Sequence, residues 1–309
     1  MLISRFSDRE ETVRLEVWST YATLLNQTSL YGGMPEMKDD SPRGKRKRDS
    51  EELMELEETP YTLLKTQVPS LSKALLNQLK SPKTNPVVLQ SGFSLLKTLL
   101  EVLPGSLSSQ VGPIISTSKA VLSQSPTTST STLHITNLAF LALFFSTHPA
   151  SAFQTSLSQL TGPLLKSVAE RHPRIASETF RVFSALLNAV KPSISEAWPS
   201  ALYDEAIKRL SNHDTDAEVR ACSEDCIADL WICSTELMQS KDRKEWEYIC
   251  RSTGKTDSAV RVITKVATEV YIGDEWVNGC LTWILTLLKK SGRLGKVDAF
   301  TALEVLLRR

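Results

Sequence analysis

Three stretches far apart in this 309-residue sequence share one pattern: an acidic residue, a Val-Arg pair, and a helix-like run with apolar residues on one side. The pairs begin at Val13, Val219 and Val260. The last two are 41 residues apart, and the first two are separated by about five such intervals. This spacing is typical of HEAT-type helical repeats of about 40–47 residues. Weaker copies with an apolar residue in the same position are centred on Val88, Ile135, Ile175 and Val297.

Each copy follows another amphipathic run, so each repeat is predicted to be a helical hairpin. In "YTLLKTQVPSLSKALLNQLKS", the apolar residues at helical spacing are Leu63, Leu64, Val68, Leu71 and Leu75. A hairpin cannot bury both of its faces alone, and stacking on its neighbours solves that problem. Glycine is scarce, with 12 residues, and 41% of the chain is hydrophobic. We therefore predict an all-α, HEAT-repeat α-solenoid of antiparallel helix pairs stacked in a superhelix.

The repeated acidic and basic residues have structural roles in this interpretation. Asp216 and Asp257 precede or begin a helix, where a carboxylate stabilises the exposed amides. Val219 is expected to pack inward, and Arg220 to pair with an acidic residue of an adjacent repeat. We favour these roles over contact with a ligand. The full set of predicted repeat positions is Val13, Arg14, Asp216, Val219, Arg220, Asp257, Val260 and Arg261.

The repeat pattern divides the chain into three parts. Residues 1–28 form a partial HEAT repeat, residues 29–60 a disordered charged insertion, and residues 61–309 about six helical hairpins with the last one truncated. The insertion lacks a sustained apolar stripe. Its basic run is a candidate nuclear-import signal, a candidate patch for an acidic partner, or a plain solvated charge run. The run consists of Arg43, Lys45, Arg46, Lys47 and Arg48.

Both ends resemble the interior of a longer array. "MLISRF" has the pattern of the end of a helix, and "FTALEVLLRR" ends on an apolar helix without a capping turn. Solenoids usually end in repeats with a polar outer face. We therefore expect a fragment, or one half of a split protein, with a separate chain or segment supplying the missing N-terminal repeats.

No pattern for catalysis, a cofactor or a metal is found. The "TGKT" stretch at Thr253–Thr256 lacks the first glycine of a phosphate-binding loop. Cys222 and Cys226 are four residues apart, but no second ligand pair completes a tetrahedral site. The 36 basic and 35 acidic residues argue against a general nucleic-acid-binding protein. The longest apolar runs are too short to span a bilayer, and the cysteine pattern favours reduced thiols in a cytoplasmic or nuclear protein.

Several motifs resemble one family. "LISRFSDREETVRLEVW" near the start is followed by "ETP" at Glu58–Pro60, "QVP" at Gln67–Pro69 and "VLPGSL" at Val102–Leu107. Further along, "YDEAIKRL" and "DAEVRACSEDCIADL" continue the similarity. In this order the motifs resemble the middle HEAT-repeat segment of the cullin-associated, neddylation-dissociated (Cand, or TBP-interacting) proteins.

The resemblance implies a non-enzymatic solenoid without a cofactor. Such a protein binds a cullin–RING scaffold that lacks its ubiquitin-like modifier, and regulates ligase assembly and the exchange of substrate receptors, in the cytoplasm and nucleus. The resemblance does not assign any residue of this chain to cullin contact. The alternative is an importin-like carrier or another HEAT-repeat adaptor, for which an acidic face suited to basic cargo would be expected.

Overall fold

The computed structural model describes residues 3–31, 59–80, 84–190, 198–233, 256–270, 274–290 and 292–308. Within these ranges all regular secondary structure is helical, as predicted. None of the described helices is both long and apolar enough to cross a membrane. The basic run at residues 43–48 lies outside the described residues. The chain divides into two compact units, Met1–Gln110 and Val111–Arg309.

The first unit contains a short 3-10 helix, Ile3–Ser7, and the helices α1 (Glu11–Tyr31), α2 (Pro60–Leu79) and α3 (Pro86–Val102). Helix α3 packs against α1 and α2. The buried stripe of α1 consists of Trp18, Tyr21, Leu25 and Thr28.

Two of the sequence motifs act as helix caps in this unit. The side chain of Thr59, in "ETP", accepts a hydrogen bond from the backbone N–H of Thr62, and Pro60 occupies the first position of α2. Asn85 caps α3 in the same way, accepting from the N–H of Val87, with Pro86 first in the helix. Proline suits this position because its missing N–H would have no partner there.

Two glycines of the first unit are required by geometry. A Cβ at Gly92 would lie 2.5 Å from a methyl group of Leu79, so the glycine permits the close approach of α2 and α3. Gly105, in "VLPGSL", has φ of 75°, in the left-handed region that glycine enters without steric cost. That turn ends α3.

The second unit begins with α4 (Val111–Leu122), α5 (Ser131–Thr147), the short α6 (Ala150–Phe153), α7 (Ser158–Val168) and α8 (Pro173–Val190). It continues with α9 (Trp198–Ser211) and α10 (Ala217–Cys233). The last three helices are α11 (Thr256–Glu269), α12 (Asp274–Lys290) and α13 (Arg293–Leu307).

The helices of the second unit are arranged in two rows. The second helices of the hairpins pack in chain order: α5 on α8, α8 on α10, α10 on α11 and α11 on α13. Among the first helices, α4 packs on α7 and α7 on α9. Cross-contacts join α4 to α5, α7 to α8, α9 to α10 and α12 to α13. This is the predicted array of stacked helical hairpins.

The apolar residues that mark the repeat do not all have the same burial. Val88, Ile175, Val219 and Val260 are buried, as the pattern predicts. By contrast, Val13 is 36% exposed, Val297 is 58% exposed, and Ile135 is half-buried. Val13 lies five residues before Trp18, the first residue of the buried stripe in α1. This separation is about 1.4 helical turns, so the Val13 side chain points away from the stripe.

Candidate functional site

The second helices α8, α10, α11 and α13 carry a series of ion pairs in which each cation lies between two carboxylates. In the first, Arg181 of α8 donates from Nη1 to Oε1 of Glu178 at 2.6 Å and from Nη2 to Oε1 of Glu218 at 2.8 Å. Glu218 lies in the first turn of α10, so this group joins two consecutive repeats. Glu178 is 13% exposed and Glu218 is 50% exposed.

The second group is centred on Arg261 of α11. Its Nε lies 2.7 Å from Oε2 of Glu224 and its Nη2 lies 2.9 Å from Oε1, a bidentate pair. Nη1 lies 3.6 Å from Oδ2 of Asp298 in α13. Ser258 also donates its hydroxyl to the buried Glu224. Charge-assisted bidentate pairs fix geometry as well as contributing energy. This group therefore positions three successive second helices.

The third group is centred on Lys265 of α11. Its Nζ lies 3.0 Å from Oδ1 of Asp229 and 3.4 Å from Oδ1 of Asp225, both in α10. The Asp229 side chain is 2% exposed, whereas that of Asp225 is 65% exposed. Burial alone would lower the pKa of Lys265, but the two carboxylates outweigh it and raise this pKa above its ordinary value. Lys265 is therefore a full positive charge at neutral pH.

We call the surface formed by these three groups the triplet face. In every group one carboxylate is more buried and the other more exposed, and each group carries one negative charge in excess. The less exposed carboxylates are Glu178, Glu224 and Asp229, the cations are Arg181, Arg261 and Lys265, and the more exposed carboxylates are Glu218, Asp298 and Asp225.

Three recesses open on the triplet face. One of about 410 Å³ includes residues of α8, α10 and α11, and one of about 420 Å³ lies between α10 and α11. A third, of about 220 Å³, lies between α11 and α13. Small side chains create the space, since Ala185, Ala221 and Ala228 occur where the helices face each other. The face thus combines charge with concave surface.

The repeat spacing explains why these partners meet. Arg261 and Glu224 are 37 residues apart, as are Arg181 and Glu218, which is close to one repeat. Residues separated by one repeat lie at similar heights on neighbouring second helices, so a small offset places a cation opposite a carboxylate. The sequence analysis did not identify Glu224, Asp225 or Lys265. A search for oppositely charged residues whose separation is about one helical turn shorter than one repeat would have found them.

The predicted repeat residues have several different environments. Asp216 precedes α10, and its Oδ1 accepts hydrogen bonds from the N–H groups of Glu218 at 2.9 Å and Val219 at 3.4 Å. This is a helix N-cap. The backbone of Asp257 lies in α11, but its side chain lies outside what the structure describes.

The prediction for Arg220 was wrong. Its Nη2 donates to the carbonyl oxygens of Asn212 and Thr215, in the loop before its own helix, and within the described part of the chain it makes no ion pair with an acidic residue of another repeat. Arg14 likewise donates to the carbonyl of Asp8 at 2.7 Å. Both arginines lie near a helix start, where loop carbonyls without helical partners are in reach. Arg261, in the equivalent position, does make the ionic contact between repeats.

The described residues offer no arrangement for metal binding or thiol chemistry. No group of three or more His, Cys, Asp or Glu that could hold a metal ion occurs among them. Cys222 and Cys226 are buried free thiols, and Cys233 and Cys280 are also buried. Burial raises the pKa of Cys222, and raises that of Cys226 much further, so both are protonated thiols at neutral pH.

Comparison with known proteins gives a consistent result. Residues 105–227 match the family model described as "CAND1-like, TPR repeats". The cullin-associated NEDD8-dissociated protein 1 of Arabidopsis thaliana is 30% identical over 232 residues, 73% of this chain and 17% of that protein. The protein of the same name from Dictyostelium discoideum is 30% identical over 325 residues, 100% of this chain and 23% of that protein. The resemblance inferred from the motifs is confirmed.

Mouse cullin-associated NEDD8-dissociated protein 2 is also 30% identical, over 74% of this chain and 18% of its own length. The chain thus spans about a fifth of the length of these curated relatives.

Solved structures with the same architecture support the fold. An engineered protein has a TM-score of 0.51 at 14% identity, covering 99% of this chain and 95% of that one. A designed armadillo repeat protein in complex with the peptide (KR)4 has a TM-score of 0.50 at 16% identity, covering 75% of this chain and 98% of that one. These identities are too low to show more than the fold. The predicted class of armadillo- and HEAT-type helical repeats is confirmed.

Proposed function

Because this chain carries CAND1-like repeats and is a HEAT-repeat scaffold of the Cand type, we propose that it binds a cullin–RING ubiquitin ligase lacking its NEDD8 modifier. In this role it regulates assembly of the ligase and exchange of its substrate receptors, without catalysing a reaction. The observation that carries the proposal is the similarity to proteins named cullin-associated and NEDD8-dissociated, which extends over most of this chain.

The triplet face supports a role in protein binding. Stacked repeats bind partners over extended surfaces, with the scaffold supplying position and the exposed side chains supplying specificity. The designed armadillo repeat protein of similar fold is in complex with a peptide, so helical stacks of this type are able to hold another polypeptide. The polar groups that this face offers to a partner include the exposed carboxylates Glu218, Asp225 and Asp298, as well as the partly exposed guanidinium groups of Arg181 and Arg261.

A pull-down tests the proposal. The chain is immobilised and incubated with a purified cullin–RING complex, once without NEDD8 and once with NEDD8 attached. We expect the unmodified complex to be retained and the modified one to pass through. Retention of both forms to the same extent would contradict a role restricted to the unmodified ligase. Retention of neither form, even after a chain with additional N-terminal repeats is supplied, would contradict cullin binding.

A matched pair of variants locates the contact. Glu218→Lys reverses an exposed charge on the triplet face, and Glu16→Lys reverses an exposed charge on α1 in the first unit. Both change the net charge equally. If the triplet face contacts the cullin complex, only Glu218→Lys reduces retention. Equal retention of the two variants would place the contact elsewhere on the chain.

We propose that the protein works in both cytoplasm and nucleus, with the basic run at residues 43–48 acting as an import signal. A version with these basic residues replaced by alanine should be excluded from the nucleus of transfected cells. Unchanged nuclear signal would assign the run to another use. We also propose that a separate chain or segment supplies further N-terminal repeats, which co-purification from the native source would identify.

A further inference from the structure

We propose that the 410 Å³ recess of the triplet face, around Asp225 and Asp229, binds a lysine or arginine side chain from a segment of a protein partner. This inference deepens the proposed function, because it names the partner chemistry that this surface recognises. It rests on the geometry and charge of the recess, and it can fail while cullin binding stands.

The recess has charged side chains around small ones. Its lining includes the small residues Ala185, Ala221 and Cys222, together with Ser184 and Asn188 of α8. Its volume lies within the range of about 300–1,000 Å³ that is usual for sites accepting small chemical groups. A long, narrow side chain can therefore enter between α8 and α10 without displacing a large residue.

The charges in and next to the recess leave it with a negative excess. Arg181 and Lys265 supply two positive charges, and Glu218, Asp225 and Asp229 supply three negative ones. Arg181 already contacts Glu178 and Glu218, and Lys265 already contacts Asp225 and Asp229. Two cations among four carboxylates leave a negative excess, which a guest cation would reduce and an anionic guest would increase.

Asp229 gives the recess a second, independent feature. Its side chain is 2% exposed, and Lys265 lies 3.0 Å from Oδ1, but Oδ2 has no hydrogen-bond partner among the described residues. A buried carboxylate oxygen without a hydrogen bond is costly, and native structures rarely leave one unsatisfied. A cation bound beside Asp225 would reduce this cost through its field, even without touching Asp229, because charges interact more strongly away from water.

The accessible part of the site is Asp225. Its side chain is 65% exposed, and its ionic contact from Oδ1 to Nζ of Lys265 is 3.4 Å long. Glu218 lies seven residues earlier on α10, which is two helical turns, so both carboxylates face the same side of that helix. An ammonium or guanidinium group reaching Asp225 from solvent would meet Glu218 along the same edge. Arginine side chains in such pockets are frequent centres of binding energy in protein interfaces.

A direct binding experiment tests this assignment without any cullin protein. The full chain is titrated into a fluorescently labelled peptide of alternating lysine and arginine residues, and the dissociation constant is measured by anisotropy at moderate salt. Asp225→Lys places a repelling charge in the recess, and Glu16→Lys is the control with the same change in net charge. Asp225→Asn, which removes the charge without adding a new one, is the second variant if Asp225→Lys fails to fold by thermal unfolding.

We expect Asp225→Lys to weaken binding about tenfold or more, as loss of a close charge pair in a partly desolvated site does, while Glu16→Lys has almost no effect. Asp225→Asn should weaken binding less than Asp225→Lys. Equal weakening by Asp225→Lys and Glu16→Lys would show attraction by overall charge alone and would overturn the proposal. Absence of peptide binding by the unaltered chain would overturn it as well.

The same proteins in the cullin pull-down separate the two hypotheses. Peptide binding that depends on Asp225, together with no retention of cullin, would contradict the proposed function and leave the recess as a site for basic segments. Cullin retention together with no peptide binding would contradict the assignment of the recess and leave the proposed function standing.

Discussion

The second unit is held together by different chemistry around α5 and between α8 and α13. Helix α5 contains no Asp, Glu, Lys or Arg, and Phe140, Phe144 and Phe145 on it are fully buried. With His148 and Phe153 they form what we call the aromatic cluster, whose ring centroids lie 4.3–6.3 Å apart in the contacting pairs. The triplet face joins α8, α10, α11 and α13 by ion pairs.

The difference shows that one repeat geometry can be stabilised in two ways with different consequences. Burial of aromatic rings is favourable in any orientation and leaves nothing for a partner to recognise. Ion pairs contribute less net stability, because desolvation offsets much of the attraction. Their directionality, however, leaves one exposed carboxylate beside each cation. We therefore expect the aromatic cluster to determine stability and the triplet face to determine recognition.

The largest effect is expected from Phe144→Ala. Phe144 contacts the rings of Phe140, Phe145, His148 and Phe153 and is fully buried, so the variant loses apolar contacts and leaves a cavity. The expected loss is about 3–5 kcal/mol of unfolding free energy, with little dependence on salt. Denaturant unfolding at low and high salt measures it. Phe300→Ala, on a residue of α13 that is 62% exposed, is the matched control and should cost less than about 0.5 kcal/mol.

A smaller but still clear effect is expected from Lys265→Met. It leaves the buried Asp229 without its cation, and breaking a buried pair costs about 3–5 kcal/mol. Because Lys265 is 32% exposed, solvent reduces that cost, and we expect about 2–3 kcal/mol in denaturant unfolding. The double variant Lys265→Met/Asp229→Leu should recover most of the loss. A double variant as unstable as the single one would show that Lys265 acts mainly through packing.

The smallest expected effect is on the pH dependence of stability, and it distinguishes the aromatic cluster from the triplet face. Burial lowers the pKa of His148, and also that of His134. The unfolded chain therefore binds more protons below a pH of about 6.5, so stability should fall as pH decreases through that value. His148→Asn, which can still donate to the carbonyl of Phe144, should show a shallower decline in thermal stability between about pH 7 and pH 5. An unchanged slope would assign the acid sensitivity to other groups.

Much of the fold could be predicted from the sequence, because each helix carries its own local signals. The capping residues Thr59 and Asn85, each followed by proline, begin α2 and α3 where the motifs indicate. The Val-Arg pattern located the start of α10 and α11, and the motifs led to the family resemblance. Val13 is partly exposed, contrary to the pattern, because a match to the pattern does not specify which side of a helix is covered by neighbouring helices.

The candidate site was harder to predict. Arg220 and Arg261 occupy equivalent sequence positions, yet one binds carbonyls of its own loop and the other joins three helices. Which of these contacts forms depends on the offset between neighbouring second helices, and local sequence does not encode that offset. Lys265 and Asp229 likewise are ordinary charged residues until α10 and α11 pack together.

The sequence by itself determined the helices, their order and the stacking of hairpins, since the repeat of apolar residues requires each hairpin to bury its faces against its neighbours. Only the tertiary structure decided which charges meet and which remain exposed. The physical reason is that apolar burial depends on residue type and periodicity, whereas an ion pair depends on distances of a few ångströms between side chains from different repeats. The triplet face is therefore a product of packing.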